Sequence, residues 1–127
     1  MKMLKESRAR SRFQRFTNFP HRGEVYMADL SPVIGSEQGG VRAVVVLQND
    51  IGNCFSTTTI VAAMTTRERP PLPTHVRTVV NDRVNTILTE QVRTIAKERL
   101  MYKIGVIDPE TMEQVSRAML VSLGLPN

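Results

Sequence analysis

The chain has 127 residues, 41% of them hydrophobic and 23% charged, proportions that suit one soluble globular domain able to bury a core without disulfides. Its single cysteine, Cys54, excludes an internal disulfide framework and a cysteine-built zinc site, and no apolar run approaches the roughly 18–20 residues that cross a bilayer. The net charge of +5 is lopsided: residues 1–22 hold seven basic side chains and one acidic, and residues 23–127 hold ten basic and eleven acidic.

Two segments are therefore expected, a basic and mobile arm over residues 1–20 and a folded domain over residues 21–127. The arm has no apolar stretch behind its charges, so a secretory signal is not expected and the location reads as cytoplasmic, with no membrane contact. The domain begins with a strand over Glu24–Leu30, in which Val25 and Met27 face one way and Tyr26, Ala28 and Leu30 the other. Ser31-Pro32 ends it, and a loop runs through Gly35, Gly39 and Gly40. Arg42–Asn49 has a continuous apolar centre, the pattern of a strand buried on both faces. Asp50–Thr57 reads as a loop, and Thr58–Thr65 as a second buried strand. Three prolines between Arg67 and Pro73 demand an irregular connection. Thr74–Val80 alternates, with His75, Arg77 and Val79 on one face. Asn81–Asn85 is a polar turn, and Thr86–Ile95 is one long bent strand or two short ones. A helical turn over Lys97–Tyr102 and a strand over Lys103–Ile107 follow.

Pro109–Leu123 is the clearest helix. Asp108 suits its N-cap, Pro109 its first position and Glu110 its positive end, while Gly124 and Pro126 stop it. Met112, Val115, Met119 and Leu123 form an apolar stripe that packs on the rest. The fold class is thus mainly β with a C-terminal helix (α+β), a small antiparallel sheet curved into a barrel.

Standard catalytic motifs are missing. There is no phosphate-binding GxxxxGK[ST] loop, no GxGxxG, no HExxH and no GxSxG. Acidic residues are scattered, so no metal site is expected, and His75 stands alone beside the proline-rich loop. One spacing is informative. If Asn49 and Thr58 face each other at the ends of their strands, antiparallel pairing brings Arg42 opposite Thr65. Directly opposed residues share a face with β-carbons about 5 Å apart. A permanently charged guanidinium and a hydroxyl would then sit together at the far end of the hairpin, beside the glycine-rich loop.

The ordered blocks Arg22-Gly23-Glu24-Val25-Tyr26, Asp29-Leu30-Ser31-Pro32-Val33 and Gly35-Ser36-Glu37-Gln38-Gly39-Gly40-Val41-Arg42 resemble the opening of the MazF/PemK toxins, including those called EndoA. Similarity continues through Gln48-Asn49-Asp50, Ile60–Thr65, Leu72–Val76 and Glu90–Ile95. Ala43, Cys54 and Met64 depart from the family pattern, and Val80–Thr86 is shorter. These departures bear on sequence specificity and leave Arg42 and Thr65 in place.

The resemblance implies an SH3-like barrel of the plasmid-toxin type shared with CcdB, a homodimer, and a MazE-like antitoxin through which alone DNA would be contacted. It implies a toxin that cuts single-stranded RNA (mRNA, with rRNA or tRNA as alternatives) and arrests translation. No cofactor is implied. The family's catalytic arginine and threonine fall on Arg42 and Thr65. RNA contacts are expected from Ser36, Glu37, Gln38, Gly40, Asn49, Phe55, Gln91 and Arg93, through stacking on Phe55 and reading of base edges by the polar groups. The chemistry implied is attack of the ribose 2′-OH on its neighbouring phosphorus, leaving a 2′,3′-cyclic phosphate and a 5′-OH. The guanidinium suits the phosphorane charge, whereas its pKa makes it a poor base; the base stays unassigned. Two rival classes remain: a non-catalytic nucleic-acid-binding barrel that relies on the arm, and a CcdB-like poison of a protein target.

Overall fold

The computed structural model describes residues 19–32, 34–35 and 37–126; the expected arm, all but its last two residues, and Ser36 lie outside the described residues. Six strands, β1 (Glu24–Asp29), β2 (Val41–Val46), β3 (Thr58–Thr65), β4 (His75–Val80), β5 (Arg83–Ala96) and β6 (Leu100–Val106), are joined by the short helix α1 (Asp50–Phe55) and followed by α2 (Pro109–Leu123). They form one antiparallel sheet in the order β4-β5-β3-β2-β1-β6. The sheet curls until its edges nearly meet: a Cβ on Gly105 of β6 would lie 3.4 Å from Val80 Cγ1 of β4. The expected mainly-β curved sheet with a terminal helix is what the chain forms.

Alternation along the central strands separates two apolar clusters. Val45, Ala62, Met64, Ile87 and Val76 face α2, which contributes Val115 and Ala118. Val44, Val46, Val61, Ala63, Ala28 and Leu30 form the second cluster on the opposite face. Val44, Val45 and Val46 are completely buried, as a strand covered on both sides requires. The α2 caps are those expected: Asp108 accepts a hydrogen bond from the Thr111 backbone N–H, and Gly124 takes the left-handed conformation that closes the helix.

Three local expectations change. Asp50–Thr57 is mostly helical, because the Asn49 side chain accepts from the Gly52 N–H at 2.8 Å and caps a helix that ends at Phe55. On its inner face Asn53 is fully buried; its Oδ1 accepts from Gln48 Nε2 at 3.0 Å and from the Thr59 hydroxyl at 2.6 Å, and its amide donates to the Gln48 carbonyl at 2.8 Å. Lys97–Arg99 alone forms a helical turn, and β6 begins at Leu100. The β4–β5 turn tightens onto Asn81 and Asp82, both at positive φ, the geometry that Asn and Asp tolerate in a two-residue hairpin.

β5 is one long strand, bent at a bulge. Its partner on β3 moves from Ala62 to Ala63 while β5 jumps from Val92 to Leu88. Thr89, Glu90 and Gln91 therefore have no partner on β3 and can be aimed elsewhere.

At the start of β1, Glu24 lies 2.6 Å from Lys103 Nζ of β6 and accepts the His21 backbone N–H at 2.6 Å. Burial alone would raise its carboxyl pKa, but the Lys103 bond, the His21 backbone bond and their charges together hold it below the usual value. Burial, then the Glu24 charge and the bond to it, push the Tyr26 hydroxyl up to about 12.

Two outcomes are expected. Asn53→Ala orphans the Thr59 hydroxyl in a buried site and leaves the Gln48 amide only its bond to the Thr58 carbonyl, which should cost about 2–3 kcal/mol in denaturant unfolding. Because the folded Glu24 pKa is depressed, its contribution to stability is present above the unfolded value and lost as pH falls through the folded one. Glu24→Gln should therefore flatten the acid limb of stability between about pH 5 and pH 3, read as the midpoint of urea unfolding against pH.

Candidate functional site

The β2–β3 ladder runs Val46↔Val61, Val45↔Ala62, Val44↔Ala63, the register assumed from the hairpin count. Continuing that register by one pleat leads to Arg42 and Thr65, and both line a cavity of about 320 Å³ together with Asn81, Arg83 and Asn85. The neighbouring pairs Ala28↔Arg42, Thr65↔Thr86 and Arg77↔Thr86 extend the row across the sheet. Directly paired residues lie on one face, so Arg77, Thr86, Thr65 and Arg42 form a polar band next to the apolar cluster of Val44 and Ala63.

Arg42 is half-buried and donates from Nε to the Gly39 carbonyl at 2.8 Å. That bond fixes the guanidinium while its two terminal nitrogens stay unbonded among the described residues. The Thr65 hydroxyl oxygen accepts the Arg67 backbone N–H at 3.1 Å, which leaves its proton available to donate. The pair thus presents a positive, forked donor and a hydroxyl donor across one small cavity, the equipment for a tetrahedral oxyanion.

The loop between β1 and β2 is tied down at its roots. Leu30 N–H donates to the Gly40 carbonyl at 2.9 Å, and Gly40 sits at φ +70, where a side chain would be strained. Arg93 donates to the Leu30 carbonyl at 2.8 Å, and the Gln91 side-chain carbonyl accepts the Gln38 N–H at 3.4 Å. Arg99, to which nothing in the sequence pointed, donates to the carbonyls of Asp29 and Ser31. Gln38 is 8% exposed and its Oε1 is buried without a partner, whereas Glu37 is exposed. Gln38, Gly40, Gln91 and Arg93 are therefore gathered around one loop next to Arg42.

Asn49 and Phe55 are elsewhere. Both belong to the α1 connection at the other end of the hairpin, about seven strand residues or roughly 20 Å from Arg42. Asn49 spends its side-chain oxygen on the helix cap, and Phe55, 69% exposed, lines a separate cavity with Tyr26 and Lys97. His75 has Nε2 2.7 Å from Glu90 Oε2, its side chain is 7% exposed, and its Nδ1 is buried without a partner. Among the described residues no group of three or more His, Cys, Asp or Glu is arranged to hold a metal ion, and no helix is long and apolar enough to cross a membrane.

The sequence profile of the PemK-like, MazF-like toxins of type II toxin–antitoxin systems matches residues 21–123. The chain belongs to this family. It is 55% identical over 109 residues to the endoribonuclease EndoA of Bacillus subtilis (strain 168), which covers 82% of this chain and 94% of that protein. Among solved structures, an endoribonuclease from Mycobacterial species superposes with a TM-score of 0.73 at 26% identity, covering 87% of this chain and 96% of that one. Another, an endoribonuclease in complex with its cognate antitoxin from Mycobacterial species, gives 0.73 at 27% identity over 85% and 98%. MazF from Deinococcus radiodurans gives 0.76 at 20% identity over 84% and 98%, a likeness of fold. Residues 1–20 lie outside the family match.

Arg93 holds the loop root through one charged hydrogen bond. Arg93→Ala should raise amide hydrogen exchange across residues 30–40 while the β3 amides stay protected, and should lower global stability by about 1.5–3 kcal/mol.

Proposed function

We propose that this protein is the toxin of a type II toxin–antitoxin pair and acts as an endoribonuclease on single-stranded RNA. The observation that carries this reading is the Arg42–Thr65 pair: two donors, one of them permanently charged, beside one cavity and next to a loop that buries the Gln38 side chain. Family membership supports the RNA substrate, since the Bacillus subtilis relative is an endoribonuclease.

In the proposed reaction the ribose 2′-oxygen forms a bond to the adjacent phosphorus and the bond from phosphorus to the 5′-oxygen breaks. The 2′-OH proton passes to a base, the leaving 5′-oxygen gains a proton, and the products are a 2′,3′-cyclic phosphate and a 5′-OH. The RNA supplies its own nucleophile, so the chain need only stabilise charge, position the phosphate and manage protons. Arg42 meets the negative charge that grows on the non-bridging oxygens, and the Thr65 hydroxyl donates to one of them. DNA lacks the 2′-OH and does not react. Gln38, Gln91 and Glu37 read bases presented against the loop. The enzyme works as a cytoplasmic homodimer, its action arrests translation, and an antitoxin with an acidic segment covers the cavity. A Mycobacterial endoribonuclease in complex with its cognate antitoxin supports an antitoxin partner.

The test is incubation of a long, sequence-diverse single-stranded RNA in EDTA with wild type, Arg42→Ala and Thr65→Ala, with cut sites and end groups mapped. Cuts at one short motif with cyclic-phosphate ends are expected. Each variant should lose roughly 10²–10³-fold in kcat, the usual cost of removing one transition-state donor. Folded wild type that cuts nothing, or variants that cut as wild type does, would sink the reading.

A further inference from the structure

The described residues hold nine arginines, and most of them are spent. Arg22 donates to the Leu47 carbonyl and the Ser116 hydroxyl, Arg93 to the Leu30 carbonyl, and Arg99 to the carbonyls of Asp29 and Ser31. Arg42 is anchored through Nε alone, and Arg117 lies 3.9 Å from Glu113. That leaves the side chains of Arg67, Arg69, Arg77 and Arg83, for which no hydrogen bond or ion pair exists among the described residues. These four are not scattered. Arg83 lines the Arg42–Thr65 cavity, and Arg67, Arg69 and Arg77 line a neighbouring cavity of about 850 Å³ beneath the proline-rich connection between β3 and β4.

The two cavities are continuous in residues. Thr66 lines both, and Thr86, on the wall of the larger, is the register partner of Thr65. Glu68 is the one acidic side chain on that wall, against three guanidiniums. Since residues 23–127 carry one more acid than base, this concentration is local and not a reflection of bulk charge. Arg77 stands two strand spacings from Thr65, roughly 10 Å from backbone to backbone, with Thr86 between them.

We propose, resting on the ribonuclease reading above, that the cavity beneath the β3–β4 connection is a second phosphate subsite. It takes the backbone of the same RNA strand at least one nucleotide away from the linkage held by Arg42 and Thr65. Arg77 and the Thr86 hydroxyl supply the donors from the sheet, and Arg67 and Arg69 close over the phosphate from the connection. Prolines at 70, 71 and 73 limit the freedom of that connection, so less entropy is lost when it engages. Phosphate binding fixes register and carries no sequence information, so the subsite sets how long a strand is gripped and leaves the choice of cut motif to the β1–β2 loop.

The test uses the full chain and an RNA oligonucleotide carrying the mapped cut motif, with a 2′-deoxy sugar at the reacting position so that it binds without being cut. One probe is the minimal motif; others are extended by a few nucleotides on the 5′ or the 3′ side. For wild type, one extension should tighten binding. In Arg77→Gln, and in the double variant Arg67→Gln/Arg69→Gln, that advantage should shrink roughly tenfold at moderate salt, with the salt slope falling by about 0.7 for each phosphate no longer neutralised. A neutral methylphosphonate at a single linkage of the extension should weaken wild-type binding equally and weaken Arg77→Gln little further. Arg117→Gln, a charge control on the exposed face of α2, should keep the advantage. With the uncut sugar replaced by ribose, the Arg77 effect should appear in KM for the extended substrate.

An unchanged extension advantage in Arg77→Gln overturns the subsite, as does an equal loss in Arg117→Gln. So does weaker binding of an acidic antitoxin peptide with RNA binding untouched, which would assign the cavity to the peptide. Wild type that cuts RNA normally while Arg77→Gln matches it removes this proposal alone. Wild type that cuts no RNA removes the ribonuclease reading and the subsite with it.

Discussion

The register between β2 and β3 is the constraint on which the rest of the molecule depends. Side chains alternate along a strand, so a slip of one residue would turn Val44 and Val46 out of one apolar cluster and swing Arg42 to the opposite face of the sheet from Thr65. The connection between the strands resists that slip. The Asn49 cap sets where α1 begins, and Asn53 binds Gln48 on one strand end and Thr59 on the other, with every bond inside the fold. A small polar knot at one end of the hairpin thereby positions the two donors at the other.

On this frame, departures from regular pairing supply the functional detail. The β5 bulge releases Glu90 towards His75 and Gln91 towards the β1–β2 loop, which a regular ladder would keep in line with β3. The loop is held by guanidiniums and not by a core of its own: Arg42, Arg93 and Arg99 each donate to its backbone carbonyls or to those at its root.

Charge is likewise distributed by the fold. The toxin domain is close to neutral over residues 23–127, yet its unengaged guanidiniums gather at two adjoining cavities. Over those residues the attraction a polyanion meets is therefore local, concentrated where a phosphate would bind.

Much of this was open to reading from residue order alone. The two-face burial of β2 followed from its unbroken apolar run, the α2 helix from Asp108, Pro109 and Gly124, and the Arg42–Thr65 juxtaposition from the period of two along a hairpin, because each of these depends on neighbours a few residues apart or on one pairing. Tertiary structure alone decided which polar side chains are spent. Asn49 became a helix cap, Arg93 a loop anchor and Phe55 part of a distant cavity, while Arg77 and Thr86, unremarkable in sequence, entered the polar band through the registers of β4 with β5 and β5 with β3. Such roles depend on groups brought together from distant positions, seventy residues apart for Arg99 and Asp29, and on a bulge whose place no local propensity marks. Periodicity reports which face a side chain is on; only the closed sheet determines what it meets there.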